Sequence, residues 1–386
     1  MRKVFNFVDI IIIVVITAVL ASFLGGFLIY NNKSDSQEND ENLKMFYEAY
    51  DKLKDNYYEE LSPDELINAA IEGMYKKTSD PYTSYLNDDD TNNLNNLLSG
   101  KYKGIGIVVE KAEEGFKIVS IIEDSPADKA KLNKDDIIIE IDLDSIKDLS
   151  LEEFTKKINE IESDSINLTI KRNEDILSFD VDIKTLYIPV SDYKLLDNNI
   201  GYISLNSFNE DAYKQFKSNL DELNNLNIKS LIIDLRNNTG GYLDSARRIA
   251  EIFLKKGKVI YYVERKNNLE KITDTTKERS KFNIAVLING KSASATEVLA
   301  AALRDSYGAT LVGEKSYGKG VIQEKDTLSN GNIVKYTTAN WLTPKKKNID
   351  TKGLEPDVYS KLDLDNIKRD DITTDSQVIS AMNTLK

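Results

Sequence analysis

The chain opens with a long apolar run. Residues Ile10–Tyr30 carry no charge over 21 positions, enough to cross a bilayer as a helix. Arg2 and Lys3 precede the run and a mostly acidic stretch follows, so the positive-inside rule places the N-terminus in the cytoplasm. We predict a cytoplasmic tip and single-pass anchor over 1–30, with the rest of the chain extracytoplasmic. The alternative is a cleaved signal peptide with an unusually long apolar core.

A helical region follows a polar linker at 31–42. Its first apolar residues recur at helical spacing: Phe46, Tyr50 and Leu53. A second helix is predicted to begin with Ser62 as its cap and Pro63 in its first turn. We predict a helical N-terminal region over 43–99.

The pattern then changes to short strands. Five strand-like runs lie in the next 80 or so positions: GIGIVVEK, FKIVSIIE, DIIIEID, INLTIKR and ILSFDVDI. The helix-like SLEEFTKKINEI interrupts them. This pattern predicts a compact β-rich module over 100–184.

The remainder, 185–386, alternates strands and helices. Strand-like IGYISL, IKSLIIDLRNN and NIAVLING are interspersed with helix-like YLDSARRIAEIFLKKG and ATEVLAAALRDSYG, which predicts an α/β core with a C-terminal tail. Asn330-Gly331 predicts a hairpin turn. The fold class is therefore multidomain α/β.

Composition narrows the chemistry. The net charge of −13 argues against nucleic acid as a partner. The chain has no Cys and no His, which removes thiol nucleophiles, the usual general base and the commonest zinc ligands. A hydrolase built from these residues must use Ser or Thr with a Lys base, or paired carboxylates. We predict neither a metal nor a cofactor.

Three glycine-bearing turns could carry such chemistry. DLRNNTGG and GKSASATEV each follow an apolar strand, where ligands collect in α/β sheets. The helix that opens after Ser294 offers unpaired N–H groups to an oxyanion. In GEKSYGKGVIQ, Lys319 lies between two glycines. As a base it would need its pKa lowered from ~10.4 by ~2–3 through burial. The alternatives are ordinary turns and a solvated loop lysine.

Several motifs resemble those of the carboxyl-terminal processing peptidases, or tail-specific serine proteases. They are DLRNNTGGYLDSA, SASATEVLAAALRD, LVGEKSYGKGVIQ and KGLEPDV, with AAIEGMYKKTSDPYTSYL in the helical region and GIGIVV…SPADKAKL in the β-rich module. The resemblance covers nearly everything after the linker. It implies a PDZ domain and a catalytic core of the crotonase and Clp-protease type.

The resemblance also implies roles for individual residues. Ser294 maps to the nucleophile, Lys319 to the base and Gln323 to a residue that orients the lysine. The backbone N–H groups of Gly240 and Ala295 map to the oxyanion hole.

Three further positions bear on this mapping. Thr296 and Tyr317 replace a serine and a phenylalanine of the family motifs. Asp305 matches a family aspartate, but it lies ~16 Å along one helix from Ser294, so we expect a packing or capping role.

The PDZ-like module keeps the carboxylate-binding loop of the family. This loop is Gly104, Ile105, Gly106 and Ile107, whose N–H groups could hold a terminal carboxylate while the peptide adds a strand. Two family glycines are replaced by Lys131 and Asp135, so the turn geometry there is expected to differ.

The leading hypothesis is a membrane-anchored serine endopeptidase that cleaves extracytoplasmic proteins near apolar C-terminal tails. One alternative is a catalytically inactive PDZ adaptor, and another is a crotonase-like acyl-CoA enzyme. Expected partners are polypeptides with apolar C-termini and the membrane. A homodimer or a regulatory partner is left open.

Overall fold

The computed structural model describes residues 41–159, 161, 163–277, 281–363, 368 and 371–386. The predicted anchor at 1–30 lies outside the described residues. None of the helices in the described ranges is both long and apolar enough to cross a bilayer. The chain divides into two units, one ending at Asp80 and one beginning at Pro81.

The first unit is helical, as predicted. Helix α1 covers 41–56 and helix α2 covers Pro63–Lys76. Pro63 is at the first helical position, where its missing N–H costs nothing. Ser62 precedes it with extended backbone, but its side chain makes no capping hydrogen bond, so the predicted Ser62 cap is present in position only.

The second unit contains helices and strands in several sheets. Its helices are α3 (Asp88–Ser99), α4 (Pro126–Lys129), α5 (Leu151–Asn159), α6 (Ala212–Asn225), α7 (Leu243–Phe253), α8 (Ala295–Ala302) and α9 (Ser376–Thr384). A π-helical turn, Leu303–Tyr307, continues α8. The first strands are β1 (Ser84–Leu86), β2 (Lys101–Gly104), β3 (Ile107–Lys111), β4 (Phe116–Ile121), β5 (Ile137–Ile141), β6 (Asp144–Ser145), β7 (Ser165–Arg172), β8 (Asp175–Asp182) and β9 (Lys184–Tyr187). The later strands are β10 (Ser191–Leu196), β11 (Ile200–Leu205), β12 (Ser230–Asp234), β13 (Val259–Arg265), β14 (Asn268–Thr273), β15 (Asn283–Ile288), β16 (Thr310–Gly313), β17 (Val321–Thr327), β18 (Ile333–Leu342) and β19 (Val358–Tyr359).

The β-rich module forms around one antiparallel sheet. Its strand order is β3-β4-β5-β7-β8, with β6 beside β5, and the five predicted strands are confirmed. The buried core includes Phe116 and Phe154, whose rings stack at 4.3 Å, with Ile138 and Leu168 fully buried. Strands β2 and β9, at the two ends of the module in the chain, pair as a separate ribbon.

Two tight turns of this module have a non-glycine residue in a left-handed backbone conformation. Lys131 and Asp135 have φ of 63° and 71°, in the left-handed region where glycine is normally preferred. Arg172 holds both turns, because its guanidinium donates to Lys131 O at 3.0 Å and to both oxygens of the buried Asp136. The expected change in turn geometry is not seen: both positions stay left-handed, and the non-glycine residues are strained there instead.

The α/β core is built on a six-stranded sheet in the order β10-β11-β12-β15-β16-β19. In this sheet β11, β12, β15, β16 and β19 pair in parallel with their neighbours, and β10 is antiparallel to β11. Helices α6, α7 and α8 contribute to the core on one face, and α9 contributes Val378 and Ala381 to the other. On β12, Leu231 and Ile233 belong to the first core and Ile232 to the second. This explains the continuous apolar run of a buried parallel strand.

A second sheet carries the predicted hairpin. Its order is β1-β18-β13-β14, with β17 also paired to β18. Gly331 turns the β17–β18 hairpin with φ 93°, as the Asn330-Gly331 pair predicts. Strand β1 falls inside the stretch predicted to be helical, so that part of the prediction was wrong. Residues Ser84–Leu86 are extended because they pair with Ile333–Lys335 of β18.

An ion-pair network ties the last helix to the turn after β12. The Arg236 guanidinium contacts Asp234 at 2.6 Å and Asp375 at 2.8 Å, and also donates to Gln377 Oε1. Tyr202 donates its hydroxyl to Asp234 at 2.7 Å. Since Asp375 caps α9 through Gln377 N and Val378 N, the C-terminal helix and the β12 turn share one buried set of charges.

Candidate active site

The turn after β15 presents three hydroxyl groups, and the structure separates their roles. Ser292 and Thr296 are fully buried, and their hydroxyls donate to Leu235 O and Asn238 O at 2.8 and 2.9 Å. Ser294 is only partly buried. Two of the three hydroxyls therefore fasten this turn to the turn after β12, and Ser294 is the one that a substrate can reach.

Ser294 lies at a sharp strand-to-helix turn. Its backbone has φ 59° and ψ −121°, a region that non-glycine residues rarely occupy, and α8 begins at the next residue, Ala295. Ala293 N donates to Asn238 O at 3.1 Å and helps to hold this conformation. Strain of this kind persists only where the surroundings enforce it, and it is common at functional sites.

Gly240 lies against the same turn. A Cβ at Gly240, whose φ is 105°, would come within 2.9 Å of Ala293 O and 3.0 Å of Ser294 Cβ. Its N–H donates to Asn238 Oδ1 at 2.9 Å, so in this conformation that N–H already has an acceptor. The N–H of Ala295, in contrast, has no acceptor within the part of the chain that the structure describes. Both predicted oxyanion donors lie beside Ser294, and Ala295 is the one with an available N–H.

Lys319 is anchored through its backbone. Its N–H donates to Glu297 Oε2 at 2.9 Å, and its carbonyl accepts from Trp341 Nε1 at 2.9 Å. The flanking glycines are explained by close approach. A Cβ at Gly318 would lie 2.7 Å from Gly353 N, and one at Gly320 would lie 2.5 Å from a backbone nitrogen of the same segment, that of residue 350.

Glu297 connects the two turns and was not singled out from the sequence. Its carboxylate is fully buried and accepts four hydrogen bonds at 2.5–2.9 Å, from Ser294 N, Ser316 Oγ, Gly318 N and Lys319 N. Burial raises the pKa of Glu297, and the four donors act in the opposite direction. A signal was available, because Ser294-x-x-Glu297 is the spacing of a capping box.

A cleft of about 490 Å³ brings the predicted residues together. Ser294, Lys319 and Gln323 all line it, as do Gly240 and Ala295. Apolar side chains form much of the remaining wall: Leu94, Leu97, Leu98, Leu243, Val298, Val321, Ile322 and Trp341. The cleft therefore offers a hydroxyl, an amine and a helix N-terminus beside apolar surface, as ligand-binding sites do.

Gln323 lies at an irregularity in β17. The register between β17 and β18 shifts between Ile322 and Gln323, and the Gln323 amide donates to Thr337 Oγ1 at 3.3 Å. A bulge of this kind re-aims side chains at the edge of a site. Tyr317, two residues before Lys319, is exposed, and its N–H donates to Ser292 O at 3.0 Å.

Asp305 is not among the residues that line the cleft. It lies in the π-helical turn after α8 with its side chain buried, and it contacts Arg304 Nε at 3.0 Å and Lys345 Nζ at 3.3 Å. These ion pairs give it the packing role expected from its distance along the helix.

The predicted carboxylate-binding loop is held by hydrogen bonds to its carbonyl groups. Ile105 O accepts from Ala127 N and Gly106 O accepts from Ile122 N, both at 2.9 Å. Gly106 has φ 89°, and a Cβ there would lie 2.3 Å from Ser125 Cβ. The strand that follows, β3, is at the end of the strand order of its sheet, which leaves an edge for a further strand.

A PDZ-like sheet and an α/β core with a serine at a strained turn are together typical of PDZ-bearing serine peptidases. Comparison with known families agrees. Residues 28–91 match the activating protease CtpB N-terminal domain, residues 103–183 match the PDZ domain and residues 199–360 match Peptidase family S41.

Individual relatives support the same assignment. A probable CtpA-like serine protease of Staphylococcus epidermidis is 32% identical over 360 residues, covering 92% of this chain and 73% of the relative. One from Staphylococcus aureus is 34% identical over 352 residues, covering 90% and 70%. A solved putative S41 protease from Bacteroides fragilis shares the fold, with a TM-score of 0.53 at 16% identity over 85% of this chain and 90% of that one. The chain belongs to peptidase family S41 and is a serine-type endopeptidase of the carboxyl-terminal processing type.

The strain at Ser294 predicts an unusual stability order. Ser294→Gly should be more stable than Ser294→Ala by about 1 kcal/mol, because both lose the hydroxyl but only glycine tolerates φ 59° without strain. Urea unfolding of the two variants measures the difference. The control pair is Ser218→Gly and Ser218→Ala on the exposed face of α6, where alanine should be the more stable by about 1 kcal/mol. The same order at both positions would contradict strain at Ser294.

Proposed function

We propose that this peptidase uses a Ser-Lys dyad, with Ser294 as nucleophile and Lys319 as general base. The observation that carries the proposal is the shared Glu297 carboxylate, which binds the backbone N–H of Ser294 and of Lys319 at 2.9 Å each beside one cleft. No His or Cys is present to serve instead. Gln323, on the same cleft, is proposed to orient the lysine amine.

The proposed reaction is acyl transfer in two steps. Ser294 Oγ attacks the scissile carbonyl while its proton passes to the neutral Nζ of Lys319, and the new ammonium then protonates the leaving amine. A water then gives a proton to the neutral Nζ of Lys319 and attacks the acyl carbonyl. The new ammonium returns that proton to Ser294 Oγ as the acyl–oxygen bond breaks, which releases the new carboxyl terminus. The Ala295 N–H stabilises the oxyanion at the start of α8, and Gly240 N–H joins it by exchanging its Asn238 acceptor for the oxyanion.

The first test replaces the base without removing its charge. Lys319→Arg should lose activity by at least about a hundredfold, because a guanidinium does not give up its proton near neutral pH. The loss of activity is measured both by labelling of Ser294 with a fluorophosphonate probe and by casein hydrolysis. Wild-type activity should rise with pH around an apparent pKa well below about 10.4.

The control for this test is Lys315→Arg, in the same loop. Lys315 is exposed and pairs with Glu355 at 2.8 Å, so the exchange should leave activity unchanged. A fully active Lys319→Arg enzyme would remove the lysine from the mechanism.

We further propose that the PDZ domain selects substrates by their C-termini. A tail that adds a strand beside β3 would present its carboxylate to the N–H groups of Gly104–Ile107, with its apolar terminal side chain packed against the module. The intact module sheet and the buried loop carbonyls that hold this segment support the proposal.

Free and amidated tails test this selection. A peptide ending in Ala, Val or Leu should be cleaved faster than the same peptide amidated or ending in Asp. Gly106→Ala should reduce the difference, because a Cβ would lie 2.3 Å from Ser125 Cβ and displace the loop. Cleavage of unfolded casein is the control for basal activity. Equal rates for free and amidated peptides with the unaltered protein would exclude carboxylate recognition.

We also propose that the apolar run at 10–30 anchors the enzyme in the cell membrane, with the peptidase outside. The 21 uncharged positions and the preceding Arg2 and Lys3 support this orientation. Full-length protein should sediment with membranes, whereas a chain that begins at Leu43 should remain in the supernatant. Recovery of the full-length protein as a shortened soluble form would indicate cleavage of the segment instead.

A further inference from the structure

An aromatic ring covers the lysine of the cleft. Lys319 Nζ lies 4.5 Å from the centroid of the Tyr82 ring, within the distance at which an ammonium is attracted to an aromatic face. Tyr82 is half-buried and belongs to the short segment before β1, far from Lys319 in the sequence. The segment lies within the AAIEGMYKKTSDPYTSYL motif, in which the family resemblance implies no role for Tyr82.

The position of Tyr82 is determined by its neighbours. Thr83 Oγ1 accepts from Thr337 N at 3.1 Å, and Tyr85 Oη accepts from Asn332 Nδ2 at 2.7 Å. Strand β1 then pairs with β18 over Ser84–Leu86. The ring is therefore held by β18, the strand whose Trp341 also binds the carbonyl of the lysine.

Tyr82 acts as a neutral ring. Burial, together with a hydrogen bond to the Tyr317 hydroxyl, raises the pKa of Tyr82 to about 12. Glu297 and Asp350 add negative charge nearby in the same direction. Besides Lys319, the titratable groups that line the cleft are Tyr242, Asp244, Glu324, Lys325 and Lys335. At pH values well below about 12, Tyr82 therefore presents its ring face and not a phenolate.

We propose that Tyr82 is a positioning residue that holds the Lys319 ammonium against its ring and so determines the pH at which the base becomes active. The inference depends on the proposed role of Lys319. An aromatic face favours the charged amine over the neutral one. The contact therefore opposes deprotonation of the resting enzyme. It also stabilises the ammonium that forms when Ser294 gives up its proton.

The test measures the rate at which a fluorophosphonate labels Ser294 as a function of pH in the full chain. In that reaction Ser294 Oγ bonds to phosphorus, fluoride leaves and the serine proton passes to Lys319 Nζ. Tyr82→Phe retains the ring face and should keep the wild-type profile. We call the rise of the labelling rate with pH the acid limb, and the constant rate above it the plateau. Tyr82→Leu should move the acid limb to lower pH by about 0.4 to 1.5 pH units and lower the plateau rate severalfold.

Fluorinated phenylalanines at position 82 separate the ring's electrostatics from its shape. Successive ring fluorines weaken the negative face but leave the packing nearly unchanged. The acid limb should move stepwise to lower pH from phenylalanine to its difluoro and pentafluoro forms. This series remains informative if Tyr82→Leu does not fold, which thermal unfolding would show.

The outcomes distinguish this inference from the proposed dyad. A plateau that falls in Tyr82→Leu while the limb stays fixed, or a fluorinated series with one common limb, would overturn the role of Tyr82 alone. Normal labelling of Lys319→Arg would overturn the dyad itself. A limb that moves with ring electrostatics, in a protein that needs Lys319, supports both.

Discussion

The buried carboxylate of Glu297 is the interaction on which the arrangement of the cleft depends. An isolated carboxylate costs several kcal/mol to bury, so it persists in a protein only where donors replace its water. Here all four donors belong to the two turns that carry Ser294 and Lys319. The carboxylate therefore fixes the backbones of Ser294 and Lys319 relative to each other, although the two residues follow different strands.

The parallel sheet brings these turns together in the first place. β12, β15 and β16 are adjacent and parallel, so their carboxyl ends meet at one edge. Backbone segments then approach each other so closely that side chains do not fit. Gly240 faces the Ser294 turn, and Gly318 and Gly320 face the segment at 350–353. These glycines look like ordinary loop residues in the sequence, but the close backbone contacts explain why no larger residue fits there.

Prediction succeeded where a local pattern decides the structure. The five strands of the PDZ-like module, helix α7 and the Asn330-Gly331 hairpin were confirmed, since periodicity and turn chemistry act over a few residues. It failed for β1, whose extended backbone depends on pairing with a distant strand. Helix α6 was not predicted although its buried residues recur at helical spacing, at Ala212, Phe216, Leu220 and Leu223. The helical spacing was therefore visible in the sequence.

The sequence by itself determined the chemical inventory. Without His or Cys, a serine hydrolase has to use a lysine or carboxylates, and the motifs point to Ser294 and Lys319. Only the tertiary structure decided which hydroxyl of the Ser292–Thr296 turn is accessible, that Gly240 N–H already has an acceptor, and which groups surround the lysine. The physical reason is that burial and hydrogen-bond partners come from segments far apart in the chain. Tyr82 and Glu297 meet Lys319 only after the sheets have formed.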